Sequence, residues 1–502
     1  MLKMVRLTLA IICSLLITLL FLDFTGTIHV WLGWLAEIQF LPALLALNAG
    51  IITGLIILTL LFGRIYCSVI CPLGVFQDAI SWLAQKTRKK RNFTFSPAFS
   101  WLRYGMLVLC IAAFIPGAGS LVALLDPYGA YGRMANNLFS PVYLEINNIL
   151  AYFAEWVDSY VFYPTDIWIK SSITLLIAIA TFVIVGLLAW RNGRTYCNTI
   201  CPVGAVLGLL SRISLFRLTF DTEKCTKCGL CARSCKASCI DSKNRIVDYS
   251  RCVTCFNCIE KCKSGAIKYV PWLPGEKEKT VWTSTAGAED KKDISRAKFL
   301  SITGLFAFTN VIKAQQLLQA DGGLADIEDK KKPGRKVPVV PPGAQSLRNF
   351  NRHCTACQLC VSVCPNNILR PSGKLSTLMQ PEMSYEQGYC RPECTECSLV
   401  CPTGAIRPVT PADKSALSIG QAIWIKDNCV VNRDELQCTA CERHCPTSAI
   451  TLIAIHPGDR NSLKYPAINK DLCIGCGSCE YYCPARPFSA IYVEGNVIHH
   501  SV

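Results

Sequence analysis

This chain of 502 residues lacks the usual signatures of haem and nucleotide chemistry. No C-x-x-C-H occurs, which excludes a covalently attached c-type haem. Histidine is scarce, six in all, and His29 alone lies near an apolar stretch, too few for a bis-histidine haem at membrane depth. Neither a G-x-G-x-x-G nor a Walker loop is present, so oxidation of a flavin or nucleotide would need another subunit. No acid–base constellation is evident either, which leaves redox chemistry carried by cofactors.

What the chain does have is cysteine. Twenty-four of its 31 cysteines fall into six tight groups. Four read C-x2-C-x2-C-x3-C: Cys225/Cys228/Cys231/Cys235, Cys252/Cys255/Cys258/Cys262, Cys354/Cys357/Cys360/Cys364 and Cys473/Cys476/Cys479/Cys483. Two are stretched at the first gap, Cys390/Cys394/Cys397/Cys401 and Cys429/Cys438/Cys441/Cys445. This run holds [4Fe–4S] clusters, and in two-cluster ferredoxins the fourth cysteine ligates the other cluster. The groups therefore pair and cross. Cys225, Cys228 and Cys231 are expected with Cys262, and Cys252, Cys255 and Cys258 with Cys235. In the same way Cys354, Cys357 and Cys360 go with Cys401, and Cys390, Cys394 and Cys397 with Cys364. Finally Cys429, Cys438 and Cys441 go with Cys483, and Cys473, Cys476 and Cys479 with Cys445. Six clusters result. Disulfides would require export and a small, core-poor scaffold, and structural zinc prefers two widely separated C-x-x-C knuckles. Proline follows the fourth cysteine in the last four groups (Pro365, Pro402, Pro446, Pro484), whereas Lys236 and Lys263 stand there in the first pair. Cys239 reads as a small buried spare that could compete with Cys235. His353 and His444 flank cluster cysteines and read as exposed loop residues.

The first 220 residues are of another kind. Mean hydropathy over the chain is +0.32, and the excess lies in uncharged apolar stretches at 7–22, 42–62, 105–125 and 172–190, each near the length that crosses hydrocarbon. The segment 63–103 is rich in Lys and Arg, and 126–170 is acidic. The positive-inside rule then places 63–103 and the chain after Arg191 in the cytoplasm. The basic run 86–91 reads as a topology signal and not as a nucleic-acid patch. The predicted fold is an α-helical membrane domain of about four transmembrane helices over 1–216. α+β bacterial-type dicluster ferredoxin modules follow at 217–270 and, as a four-cluster unit, at 351–502.

One motif occurs twice in the apolar part, G-R-x-Y-C-x-x-I-C-P-x-G, at 63–74 and 193–204. An internal duplication is the simplest account. Cys67, Cys71, Cys197 and Cys201 could converge into a four-thiol site, as a further cluster or as redox-active dithiols. Cys13 and Cys110 lie alone in apolar stretches and read as packing residues.

Two C-x3-C-P copies on a four-helix membrane unit, followed by a dicluster ferredoxin, resemble the NapH-type membrane ferredoxins over residues 1–270, and 291–502 resembles the NapG-type four-cluster partner. The resemblance is to a fusion of the two. It implies a bacterial inner-membrane protein in contact with lipid and the quinone pool, taking electrons from quinol and handing them to a periplasmic reductase or cytochrome. The carboxylate, phenols and guanidinium of Asp126, Tyr128, Tyr131 and Arg133, at the outer end of the third stretch, are the candidate quinone-binding residues. Residues 271–350 read as a linker. It contains a short apolar segment at 296–314, similar to a twin-arginine export signal with Ala297 at the second arginine's place, and then a Pro-rich tether with little to pack at 315–348. Export of the last module is expected, with a cytoplasmic surface helix as the alternative reading of that segment. The alternatives are a metal- or thiol-reducing assembly factor and a redox sensor.

Overall fold

The computed structural model describes residues 1–23, 25–87, 93–156, 158–159, 161–165, 167, 169–271, 328–457 and 462–502. Residues 88–91 of the basic run 86–91 and the whole of the export-like segment at 296–314 lie outside them.

Two of the four apolar stretches form unbroken long helices, α1 (Leu2–Leu22) and, further on, Ser172–Asn192. Each has 21 residues, about 31 Å at 1.5 Å per residue. The other two are interrupted. The stretch 42–62 ends one short helix at Leu45, turns, and restarts as α2 (Ala49–Phe62), where the Asn48 side chain accepts a hydrogen bond from the Ile51 amide at 3.3 Å. The stretch 105–125 runs as α3 (Ser100–Phe114), stops where Pro116 precedes Gly117 at φ +85°, and resumes at Gly119–Leu125. Naming the Ser172–Asn192 helix α4, these four carry the helical unit.

Helices α1, α3 and α4 run between the same two ends, and α2 meets the near one. At the near end Lys3 of α1 pairs with Glu260, Phe62 of α2 stacks on Phe216 at 5.5 Å, Arg103 of α3 donates to the Ser250 carbonyl at 2.9 Å, and the Arg194 amide beyond α4 donates to the Lys236 carbonyl at 2.9 Å. At the far end Phe21 of α1 lies against Tyr128 with centroids 5.3 Å apart. There the Ile115 carbonyl accepts from Arg352 at 3.3 Å, and Lys170, just before α4, donates to the Val361 carbonyl at 3.0 Å. The sides of the unit are apolar and open. Only 28% of the apolar window of α1 and 22% of that of α4 is buried, which leaves Leu9, Ile12, Leu15, Val108, Ile111, Val183, Ile184 and Leu187 exposed. A core helix of a soluble domain would be enclosed.

The ferredoxin units follow one plan twice. β1 (Phe216–Phe220) pairs antiparallel with β4 (Ile267–Pro271) and encloses the short pair β2 (Ile240–Asp241) and β3 (Ile246–Val247). Near the C-terminus β7 (Leu417–Trp424) pairs with β10 (Ile491–Ser501) around β8 (Ile450–Ala454) and β9 (Lys464–Ile468). The middle unit has only β5 (Leu369–Pro371) with β6 (Pro381–Met383).

Its outer strands are replaced by a strap, and here the expectation of a loose tether over 315–348 is corrected for the described residues. Val339, Val340 and Ala344 are buried, the Met383 amide donates to the Val339 carbonyl at 2.8 Å, and the Gly495 amide donates to the Val337 carbonyl at 3.1 Å. Arg335, itself buried, reaches buried Glu480 at 2.6 Å. Proline spacing suggested an unpacked segment, but the prolines allow an extended strap, and the small apolar residues between them fill the seam between the middle and last units.

Candidate functional site

The cysteine loops owe their shape to left-handed backbone on both sides of the second cysteine. Lys227 and Gly229, Thr254 and Phe256, Ala356 and Gln358, and Gly475 and Gly477 all have φ between +46° and +78°. A non-glycine residue there is held against its own preference, at a cost of roughly 1–2 kcal/mol. That curvature turns three successive thiols inward. The two stretched groups do not share this pairing of left-handed residues.

The crossed sets come together as expected. Four cavities are each lined by four cysteines of one crossed set. They are Cys225, Cys228, Cys231 with Cys262; Cys354, Cys357, Cys360 with Cys401; Cys390, Cys394, Cys397 with Cys364; and Cys473, Cys476, Cys479 with Cys445. In the remaining two sets Cys258 lies within electrostatic reach of Cys252, Cys255 and Cys235, and Cys441 within that of Cys438, Cys483 and Cys429. The donor set suits a cubane cluster, because backbone amides also point at the sulfurs: Ala356 to Cys354 at 3.4 Å, Ile406 to Cys401 at 3.4 Å, Ala449 to Cys445 at 3.2 Å and Ala490 to Cys483 at 3.3 Å. Hydrogen bonds of that kind stabilise coordinated thiolate and tune its potential. Cys239 is buried with its sulfur 3.5 Å from that of Cys235. His353 holds the Asn349 carbonyl at 2.9 Å, and His444 stacks on Tyr482 at 3.6 Å.

The sets stand in sequence. The Cys354 set rests on the far end of the helical unit, where the Cys357 carbonyl lies 2.5 Å from the point a side chain on Gly132 would occupy. The next set joins the last unit directly, since the Cys390 amide donates to the Cys476 carbonyl at 2.9 Å. At the near end the Cys235 set faces the helices, and Cys228 of the outer set is exposed.

The duplicated motif forms a pseudo-symmetric centre inside the helical unit. Cys67, Cys71, Cys197 and Cys201 are all buried. Each copy's arginine crosses to the other copy: Arg64 donates to the Cys197 carbonyl at 3.1 Å, and Arg194 to the Cys67 carbonyl at 2.5 Å. The closing glycines make room for this. A side chain on Gly74 or Gly204 would begin 2.2 Å from the Cys67 or Cys197 carbonyl oxygen. Gln77 donates to the Cys197 sulfur at 3.2 Å, and the Gly204 amide to that of Cys201 at 3.3 Å.

Beside this centre lies a cluster that sequence reading missed. Asp78 is buried between Arg194 at 2.7 Å, Lys236 at 3.5 Å and Arg6. Burial pushes its carboxyl up, but Arg194, Lys236 and Arg6 outweigh that and hold it far below the carboxylate range. The signal was present in Lys236, which stands where the other units carry proline.

At the far end Asp126 caps a short helix, Pro127–Met134, accepting from the Gly129 amide at 2.7 Å. Arg133 donates to the Ala123 carbonyl at 2.9 Å, and Tyr131 meets Thr18 at 2.6 Å. The Tyr128 hydroxyl is buried without a partner, within electrostatic reach of Cys357 and Cys401. The four candidate quinone residues are thus close together, buried, and against the first cysteine loop of the middle unit.

Paired antiparallel hairpins around crossed cysteine sets define a bacterial-type [4Fe–4S] ferredoxin architecture. Residues 353–405 and 436–486 match the 4Fe–4S dicluster domain, and 218–241, 45–91 and 173–220 match 4Fe–4S binding domains, the last two including the duplicated motif. The chain belongs to the ferredoxin-type iron–sulfur electron-transfer proteins. It is 35% identical to the methylamine utilization ferredoxin-type protein MauM of Methylophilus methylotrophus over 162 residues, 30% of this chain and 69% of that one. It is 31% identical to the ferredoxin-type protein NapG of Haemophilus influenzae, over 29% of this chain and 55% of the other. With the ferredoxin-type protein NapF of Escherichia coli K12 it shares 29% identity, over 32% of this chain and 87% of the relative. No solved structure matches.

Proposed function

We propose that this protein sits in a bacterial cytoplasmic membrane as a fusion of a NapH-type membrane part with a NapG-type ferredoxin. In this reading it relays electrons from quinol through six [4Fe–4S] clusters to a reductase or cytochrome on the outer side. The observation that carries the reading is the position of the ferredoxin units at opposite ends of a helical unit whose flanks are open and apolar. A soluble protein would have no use for such flanks. In this reading the positive-inside rule assigns 217–270, at the end that carries the basic 63–103 segment, to the cytoplasm, and 351–502, at the opposite end, to the periplasm.

Quinol oxidation releases two electrons and two protons. Asp126 is the carboxylate available for a proton, and the unpartnered Tyr128 hydroxyl lies between it and the cysteine loop that would accept electrons. Arg133 and Tyr131 orient that turn. Bound clusters supply one-electron steps, and the crossed cysteines hold them in the order given above. The assembly-factor reading needs thiols that a partner can reach, whereas Cys67, Cys71, Cys197 and Cys201 are enclosed.

The test is anaerobic purification with iron and sulfide counting, then addition of a menaquinol analogue with cluster reduction followed by EPR. The expected result is about 24 irons from the six ferredoxin sets, four for each cluster, with rapid quinol-driven reduction that Asp126→Asn slows. Full iron content with no response to quinol sinks the quinol assignment.

A further inference from the structure

We infer that Cys67, Cys71, Cys197 and Cys201, framed by Arg64 and Arg194, hold a redox-active iron centre. This centre joins the near and far ferredoxin units, so that electrons cross the helical unit from one side to the other. The inference rests on the cluster assignment above but not on quinol as donor.

Buried groups form a continuous series through the unit. From the near side, Cys255 lies within electrostatic reach of Lys236 and Asp78, and Asp78 binds Arg194 at 2.7 Å. Arg194 in turn reaches the Cys67 carbonyl at 2.5 Å. Beyond the four thiols, Tyr66 lies within electrostatic reach of Cys71 and Asp126, and Tyr196 within that of Cys201 and Arg133, its hydroxyl donating to the Leu125 carbonyl at 3.4 Å. Arg133 continues to the Ala356 carbonyl at 3.5 Å, and Tyr128 faces Cys357 and Cys401 of the next set. Every side chain named in this series except that of Cys401 is buried.

Charge gives an independent argument. Arg6, Arg64, Arg103, Arg194 and Lys236 are all buried, and the carboxylate of Asp78 pairs with three of them, Arg6, Arg194 and Lys236. Arg64 Nε, Arg103 Nε, Arg194 Nη2 and Gln77 Oε1 have no partner. Such a surplus of buried cations is costly unless an anionic group sits among them. Four thiolates on iron supply that group, and cysteine sulfur is the ligand type that selects it. The crossed arginines are positioning residues: they hold the cysteine backbone and set the field at the sulfurs.

The transfer moves one electron at a time, with no bond made or broken and no proton required. The test uses the full chain in vesicles with trapped ferricyanide, which takes one electron per molecule, and external dithionite, whose SO2 radical anion gives up one. Vesicles of the parent protein should bleach ferricyanide. Those carrying Cys71→Ser with Cys201→Ser should do so at least tenfold more slowly, with the ferredoxin EPR signals kept and bound iron lowered. An equal rate in that variant, or zinc in place of iron at the four thiols, overturns the inference. Should the cysteine variant fail to accumulate, Arg64→Gln is expected to shift one midpoint potential to more negative values while the other signals stay in place. A titration identical to that of the parent overturns the inference as well. Loss of iron from the ferredoxin sets in the parent would instead defeat the cluster assignment itself.

Discussion

The two ends of the helical unit hold their ferredoxin units with different emphasis, although glycines let backbone meet backbone at both. The near end uses charge: Asp78 gathers Arg6, Arg194 and Lys236, and Arg64 and Arg103 both donate to the Ser250 carbonyl, at 3.1 and 2.9 Å. The far end uses absence of side chain. A Cβ on Gly119, Gly129 or Gly132 would lie 1.9 Å from the Asn351 carbonyl oxygen, 2.6 Å from that of Thr355 and 2.5 Å from that of Cys357. There the cysteine loop lies directly on the helical backbone.

The contrast is most sharply broken at Asp78. Asp78→Ala leaves Arg6, Arg194 and Lys236 buried together without a counter-charge, and breaking a buried pair from one side costs about 3–5 kcal/mol. Thermal unfolding in detergent should fall accordingly, and protease should cut first in 216–271. The far units should keep their iron. At the other end Gly132→Ala drives a methyl into the Cys357 carbonyl and the Phe21 ring, whose Cε1 lies 2.6 Å away. Overpacking of this kind costs about 3 kcal/mol, and the expected result is a loosened Cys354 set with the near unit intact. If either variant loosened both ends equally, the two fastenings would not be independent.

Much of this arrangement was legible in the sequence, for reasons that differ by part. The crossed sets follow from spacing alone, because thiol positions two and three apart leave the loop little choice. The duplicated motif revealed its cysteines, but not that Arg64 and Arg194 trade places across the pseudo-axis, since a repeat says nothing of how its copies face one another. The interruptions at 46–48 and 116–117 were hidden by hydropathy averaging, although Pro116-Gly117 marked one of them. Gly129 and Gly132 were read past in favour of the titratable residues around them, yet they admit the cysteine loop. The strap at 335–345 was missed because proline content resembles a tether's whether or not its small apolar residues find a seam.

The smallest of the expected effects separates the ends by pH. At the near end the Asp78 carboxyl is depressed, so its contribution is complete above about pH 4, the unfolded value, and disappears as pH falls through its folded value. At the far end burial pushes the Asp126 carboxyl up to about 6, only partly offset by the Gly129 amide and Arg133. The sign reverses: the folded state binds the proton more tightly than the unfolded chain, so stability is complete below about pH 4 and is lost as pH rises through 6. The shift corresponds to about 3 kcal/mol. Proteolysis of the parent protein between pH 4 and 7 should show the 351–405 unit becoming easier to cut as pH rises, while the 216–271 unit stays resistant throughout. Asp126→Asn, which cannot titrate, should flatten the far-end profile and leave the near-end one unchanged. A far-end profile that survives the substitution would mean that another group carries it, and would remove Asp126 from the place where protons from quinol are received.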